Sequence, residues 1–204
     1  MLLKLYPENP ELSKILKAVE ILHNDGVVVI PTDTVYALCC DIHNPKAVDK
    51  ICKIKGVKLE RANFSFICYD LSNISEFTRK FDTSVYKLMK QLLPGPFTFI
   101  LRANNNVPPI FRSKKKTIGI RVPDNSIARE IVKELGNPIM ATSVHDEDEI
   151  VDYTTDPSLI HDTFEDVDAV LDGGPGGIEP STVIDCTGTE PLIIREGKGA
   201  DLLS

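Results

Sequence analysis

The run Val27-Val28-Val29-Ile30 is apolar, β-branched and unbroken until Pro31 ends it. A strand with no polar face must be covered on both sides, so the chain around it needs helices on each face of a sheet. The sequence supplies them. Asn9-Pro10-Glu11 offers a cap, a first-turn proline and an acid, Leu12, Ile15, Leu16, Val19 and Leu22 recur at helical spacing, and Asp25-Gly26 stops the helix. Pro45 to about Ile54 reads as a second helix and Phe64-Ser65-Phe66-Ile67-Cys68 as a strand. Asp82 to Leu92 reads as helix, Leu93-Pro94-Gly95-Pro96 as a rigid turn, and Phe97 to Leu101 and Thr117 to Val122 as strands. Asn125 or Ser126 can cap a helix running to Leu135, Gly136 can end it, and Ile139 to Thr142 follows as a strand. Ala169-Val170-Leu171, Thr182 to Asp185 and Leu192-Ile193-Ile194 read as three late strands whose short links predict antiparallel pairing. No repeat or linker divides the chain, which predicts one α/β domain over residues 1–204 with a twisted mixed sheet and flanking helices.

Hydrophobic residues at 42% and charged residues at 26% exclude a disordered chain, and the formal net charge of −7 gives no overall field that would attract nucleic acid or an anionic membrane. No apolar run approaches the roughly 18 residues that span a bilayer, and no secretory leader is legible, so a cytoplasmic location without membrane contact is expected. Cys39, Cys40, Cys52, Cys68 and Cys186 are odd in number and lack metal-ligand spacing, which predicts buried free thiols and no resident metal. Charge is nonetheless uneven. Lys46, Lys50, Lys53, Lys55, Lys58 and Arg61 face only Asp49 and Glu60 in one stretch, Arg112 and Lys114 to Lys116 form a second basic cluster, and 146–152 is acidic.

Polar residues gather where strands are expected to end, which is where α/β sheets place their ligands. Pro31-Thr32-Asp33-Thr34-Val35-Tyr36 sets two hydroxyls around a carboxylate directly after the buried strand. The hydroxyls can bond the polar groups of a small zwitterion while Tyr36 closes over it; a capped turn would use the same residues. Lys53 and Lys55 end a predicted helix, where the dipole favours cations without any ligand. Together with Arg121 and Arg195 they would supply four fixed cations for a phosphate chain. Thr142-Ser143 and Ser181-Thr182 add hydroxyls near strand termini. The phosphate-loop and dinucleotide-binding glycine patterns are both missing, and Gly173 to Gly177 reads as a turn.

These segments resemble the YrdC/YciO family, whose best-known members are L-threonylcarbamoyladenylate synthases. The resemblance runs in order through Val29 to Tyr36, Lys53-Ile54-Lys55, Leu93 to Thr98, Ile118 to Val122, Ala141-Thr142-Ser143, Pro180 to Asp185 and Arg195-Glu196-Gly197. The wording of Asn63 to Cys68 and of Thr117-Ile118-Gly119 is closer to the YciO branch. The resemblance implies an open, positively charged concave cavity and a reaction of L-threonine, bicarbonate or CO2, and ATP carried with magnesium, releasing pyrophosphate. Its product would serve a separate transferase complex that makes threonylcarbamoyladenosine (t6A) in tRNA. By similarity Thr32, Thr34 and Ser181 would hold threonine, with Tyr36 beside them. Lys53, Lys55, Arg121, Thr142, Ser143 and Arg195 would face ATP, the first three as catalytic cations. The synthase pattern has arginine where Lys55 stands and asparagine where His145 stands. Lysine keeps the charge but not the two-pronged contact. The alternative reading is a module that binds tRNA or double-stranded RNA through the clustered lysines.

Overall fold

Val27 and Val29 pack into one hydrophobic cluster and Val28 and Ile30 into a second on the opposite face, as the unbroken apolar run requires. These clusters sandwich one ten-stranded sheet in a computed structural model that describes residues 1–59, 64–112, 116–144 and 154–203. The strands are β1 (Leu2–Lys4), β2 (Val28–Ile30), β3 (Ala37–Asp41), β4 (Ser65–Ile67) and β5 (Phe97–Arg102), followed by β6 (Thr117–Arg121), β7 (Ile139–Ser143), β8 (Ala169–Asp172), β9 (Thr182–Asp185) and β10 (Leu192–Arg195). Their spatial order is β1-β8-β2-β3-β7-β4-β6-β5-β9-β10. The α-helices among the described residues are α1 (Leu12–His23), α2 (Pro45–Ile54), α3 (Leu71–Phe77), α4 (Thr83–Leu92), α5 (Ser126–Leu135) and α6 (Pro157–Thr163).

Several boundaries follow directly from capping chemistry. Asn44 accepts from the Ala47 amide ahead of Pro45, Asn125 accepts from the Ala128 amide, and Gly136 closes α5 at φ +83°. The first helix differs from its expectation. Asn9 donates its amide to the Tyr6 carbonyl in a turn after β1, and α1 starts only at Leu12, so Asn9-Pro10 lies before the helix. The late strands also differ. β8 lies between β1 and β2 and is parallel to both, and β9 is parallel to β5; only β9 and β10 form the expected antiparallel pair. Short links do not force neighbours to pair when the intervening chain can cross an end of the sheet. The sequence reading also passes over β1, β3, α3 and α6.

The two faces are covered unequally, and this positions the site. On the first face α2, α3 and α4 bury Val48, Ile51, Ile74, Phe77, Val85 and Met89 along the sheet. On the second, α1 and α5 cover β8, β2, β3 and β7 and reach Ile67 of β4. Neither second-face helix contributes to a cluster over β6, β5 and β9. On those strands the second-face residues are mostly small or polar: Thr98, Ile100, Arg102, Thr117, Gly119, Arg121, Val183 and Asp185, with Ser65 and Ser143 at the border. Apart from Thr98 and Arg121 they are all at least partly exposed. A Cβ on Gly119 would stand 3.4 Å from both Ser65 Cβ and Thr98 Cγ2, so glycine keeps this strip low. Among the described residues no helix covers this half of the sheet on the second face.

Candidate functional site

Chain reversal brings the polar segments together. β2 leads into Thr32 to Tyr36, β3 carries the chain away, and α2 packs back along β3, returning Lys53 and Lys55 toward the end of the sheet where β3 began. β7 is antiparallel to β3, so Ser143 comes opposite Ala37. Arg121 ends β6 opposite Thr98 of β5, and Thr98 lies beside Val183 of β9, two residues from Ser181.

At the centre Arg121 is only 7% exposed. Its Nη2 donates to Asp33 Oδ1 at 2.5 Å, to Thr34 Oγ1 at 2.7 Å and to Thr32 Oγ1 at 3.2 Å. Asp33 Oδ2 accepts from the Asp124 amide at 3.1 Å, and the Asp33 carbonyl accepts from Lys198 Nζ at 2.6 Å. Thr32 donates its hydroxyl proton to the Val35 carbonyl at 2.7 Å and accepts from the Thr34 amide. A second polar group adjoins the first through the β6–β5 pairing. Thr98 and Ser181 share a hydroxyl bond at 2.8 Å, and Arg195 Nη2 donates to the Ser181 carbonyl at 2.9 Å and to its hydroxyl at 3.3 Å.

The expected site residues thus divide by position. Thr32, Thr34, Ser181 and Arg195 share the polar end with Arg121, and Ser143 lies on the same sheet face. Arg121, expected from the sequence as a fixed cation facing ATP, is enclosed by the fold in an ion pair with Asp33, both side chains 9% exposed. Thr142 falls on the opposite face of β7 from Ser143, opposite Leu38, because side chains alternate along a strand. Tyr36 is fully buried. Its hydroxyl donates to the Gly174 carbonyl at 2.7 Å and accepts from the Gly173 amide, so the ring secures the glycine stretch and exposes no surface to a ligand here. Burial pushes the Tyr36 phenol well above its usual range, which keeps that donor protonated. Lys53 is exposed at the C-terminal end of α2 and Lys55 is half-buried. Two other lysines of that basic stretch are paired, Lys46 with Asp25 and Lys50 with Asp168.

Asp33, Thr98, Lys198 and Asp124 join the site without having been assigned to it from sequence. The carboxylate between two threonines and the basic residue three positions after Arg195 were visible signals; the Thr98–Arg121 register was not. His145 and the acidic run 146–152 lie outside the described residues, as do Arg61, Lys114 and Lys115. All five cysteines are free, Cys52 half-buried and the others buried, and burial raises the Cys186 thiol to about 11. Among the described residues no group of three or more His, Cys, Asp or Glu side chains could hold a metal, and no helix is long and apolar enough to cross a membrane. The threonine and serine hydroxyls with Arg195 and Lys198 at this end suit a ligand bearing hydrogen-bond acceptors, and Asp33 is already paired with Arg121.

Comparison with known proteins finds relatives in sequence and in fold. The sequence profile of the Sua5/YciO/YrdC family, described as telomere recombination, matches residues 20–197. Escherichia coli YciO, itself uncharacterised, is 40% identical over 198 residues, covering 96% of this chain and 94% of its own. Its crystal structure superposes with a TM-score of 0.89 over 98% of this chain and 96% of that one. Threonylcarbamoyl-AMP synthase of Bacillus subtilis is 32% identical over 186 residues, covering 90% of this chain, which spans only 53% of the synthase. Pyrococcus abyssi Sua5, crystallised with L-threonine, shares the fold at a TM-score of 0.87 and 24% identity over 97% of this chain and 57% of its own. On profile, sequence and fold together, the chain belongs to the Sua5/YciO/YrdC family.

Proposed function

We propose that the chain is a threonylcarbamoyl-AMP synthase-type nucleotidyltransferase that activates the carbamate of L-threonine with ATP. The observation that carries this reading is the polar end of the uncovered sheet, where Thr32, Thr34, Thr98, Ser181, Arg121 and Arg195 interlock beside Ser143. The relationship to the Bacillus subtilis synthase supports the same chemistry. In this reading Thr32, Thr34 and Ser181 form the amino-acid end, while Lys53, Lys55, Ser143 and Arg195 face the triphosphate, with Thr142 supporting Ser143 from the other side of β7. Magnesium arrives with ATP as part of the substrate.

The reaction needs no protein nucleophile. The threonine amine adds to CO2 and loses a proton, giving a carbamate. A carbamate oxygen then attacks the α-phosphorus, forming a phosphorus–oxygen bond as the bond to the pyrophosphate leaving group breaks. Both steps concentrate negative charge, so fixed donors accelerate them by holding reactants in line and stabilising developing charge. Tyrosine-anchored glycines and the buried Asp33–Arg121 pair keep those donors from rearranging. The product would pass to a transferase complex acting on tRNA.

The test is to supply labelled bicarbonate, L-threonine and Mg-ATP to purified protein and measure threonine-dependent pyrophosphate release and labelled acyl-adenylate. Turnover requiring all three substrates is expected. No turnover, with salt-sensitive retention of tRNA or double-stranded RNA, would replace this reading with the nucleic-acid module.

A further inference from the structure

We propose that Lys198 is a positioning residue: through it the segment 197–203, which follows β10, braces the loop after β2 against the start of β9. The loop and the start of β9 then stand assembled before substrate arrives. The consequence for substrate rests on the nucleotidyltransferase reading; the brace itself does not.

β2 is third and β9 ninth in the order of the sheet, so strand pairing does not join the loop that carries Thr34 to the segment that carries Ser181. The segment 197–203 begins at the second of these. Thr182 is fully buried, and its hydroxyl donates toward the Gly197 and Lys198 carbonyls at 2.9 and 3.1 Å and accepts from the Gly197 amide at 3.1 Å. The Lys198 amide donates to the Pro180 carbonyl at 2.8 Å, and Lys198 forms a parallel bridge with Ser181. The path is also fixed by close approach. A Cβ on Gly197 would stand 2.4 Å from the Pro180 carbonyl oxygen, and Gly199, at φ +84°, lies so near the turn before β5 that a Cβ would stand 2.9 Å from Pro96 Cγ and Phe97 Cζ. Leu203 then packs against the first-face core. A segment held by a buried hydroxyl, by backbone bonds and by a core leucine is a firm base for a long side chain.

From this base Lys198 Nζ reaches the Asp33 carbonyl at 2.6 Å. Packing does not replace that bond: a cavity of about 280 Å³, lined by Asp33, Pro94, Pro96, Lys198 and Leu202 among others, leaves open space beside the loop. The other ties of the loop run elsewhere, to Arg121 and the Asp124 amide at the end of β6 and to the Gly177 amide in the glycine stretch. Lys198 therefore adds a direction of support that the others do not supply. Because those ties remain without it, its loss should loosen the loop and leave the fold intact. An exposed ammonium on a carbonyl is a charge-assisted bond of modest strength, suited to holding a loop in place.

The test compares Lys198→Met, which keeps most of the alkyl stem and removes the donor, with Lys198→Arg, which keeps a cationic donor of similar reach. Without substrates, hydrogen exchange of the 32–36 amides should quicken in Lys198→Met and return to the wild-type rate in Lys198→Arg, with both variants melting well above the temperature of measurement. With substrates, Lys198→Met should raise KM for L-threonine by roughly fivefold, the size of one exposed hydrogen bond, while kcat and ATP binding by calorimetry stay within about twofold. Lys198→Arg should restore the threonine KM. Weakened ATP binding with an unchanged threonine KM would make Lys198 a phosphate ligand and overturn the proposal. Wild-type exchange in the folded Lys198→Met variant overturns it whatever the activity. Quickened exchange in a protein whose wild type turns over no threonine supports the brace and removes the functional reading alone.

Discussion

Individual residues in the polar end are constrained by backbone as much as by side-chain chemistry. Gly177 donates its amide to the Thr34 carbonyl at 2.7 Å, and a Cβ there would stand 2.5 Å from that same oxygen. The obstacle is backbone, so it cannot rotate away. Gly177→Ala should therefore displace Thr34, costing about 1–3 kcal/mol of stability on the scale of overpacked sites, and should depress threonine-dependent turnover more than ATP binding. Chemical denaturation and calorimetry measure the two effects. A change to Thr98 tests hydrogen bonding with little steric change. Thr98→Val replaces the hydroxyl 2.8 Å from Ser181 with a methyl and leaves Ser181, only 5% exposed, with Arg195 as its described partner. A loss of about 1–2 kcal/mol is expected, the penalty of an incompletely satisfied buried polar group. Equal stability of the variant and the wild type would show that the Thr98 bond contributes nothing. Sequence disclosed the residue types at this site but not their partners. Asp33 was visible between two threonines, yet its bond to Arg121 joins positions 88 apart and depends on β6 ending where the β2 loop begins.

At the scale of elements, periodicity made α2, α4 and α5 legible, and local chemistry fixes the ends of two of them: Asn44 with Pro45 at α2, and Asn125 with Gly136 at α5. β3 was missed because Ala37-Leu38-Cys39-Cys40 is buried on both faces and short, and such a run lacks alternation. The place of β8 between β1 and β2 was equally hidden, since partner choice depends on the path of α6 and not on the strand's own residues. Asp168 shows how that placement is secured. Its carboxylate accepts from the Val27 amide at 2.8 Å and from Lys50 Nζ at 2.8 Å, joining the approach to β8 with β2 and α2. Burial raises its pKa, but the Lys50 and Val27 bonds and nearby charge outweigh that and hold it below the usual carboxylate range. A depressed folded pKa means stability that is present above the unfolded value and is lost as pH falls through the folded one. Stability should decline below about pH 4, and Asp168→Asn should remove part of that acid dependence. Because the pair is partly exposed and screened, the expected cost at neutral pH is only about 1 kcal/mol. Urea midpoints of both proteins between neutral and acid pH check the sign. A variant with wild-type acid sensitivity would show that other carboxylates govern it.

For the whole molecule, the decisive property is the contrast between overall charge and local charge. The chain carries a net −7, yet the polar end of the sheet gathers arginines and hydroxyls, while Lys53 and Lys55 stand at the C-terminal end of α2, a helix packed on the first face. Long-range attraction for a polyanion is therefore absent, while a small anion at the polar end would, on the proposed reading, meet cations at short range. Two consequences distinguish a nucleotide enzyme from a nucleic-acid module. RNA should not be retained at about 0.15 M salt, where screening leaves only close contacts, because a module that neutralised several phosphates would need an extended basic surface. Lys53→Ala and Arg195→Ala should each lower ATP-dependent turnover by roughly tenfold or more, as loss of a single charge-stabilising donor does elsewhere, with cooperative unfolding retained. Lys53 is exposed, so its truncation leaves no buried orphan and a loss of activity cannot be assigned to the core. Arg195 lies on the edge strand and also supports Ser181, so its variant should lose threonine affinity as well as rate. Full activity in Lys53→Ala with tight, salt-resistant RNA retention by the wild type would reverse the assignment, because the same lysine would then belong to a surface and not to a nucleotide pocket.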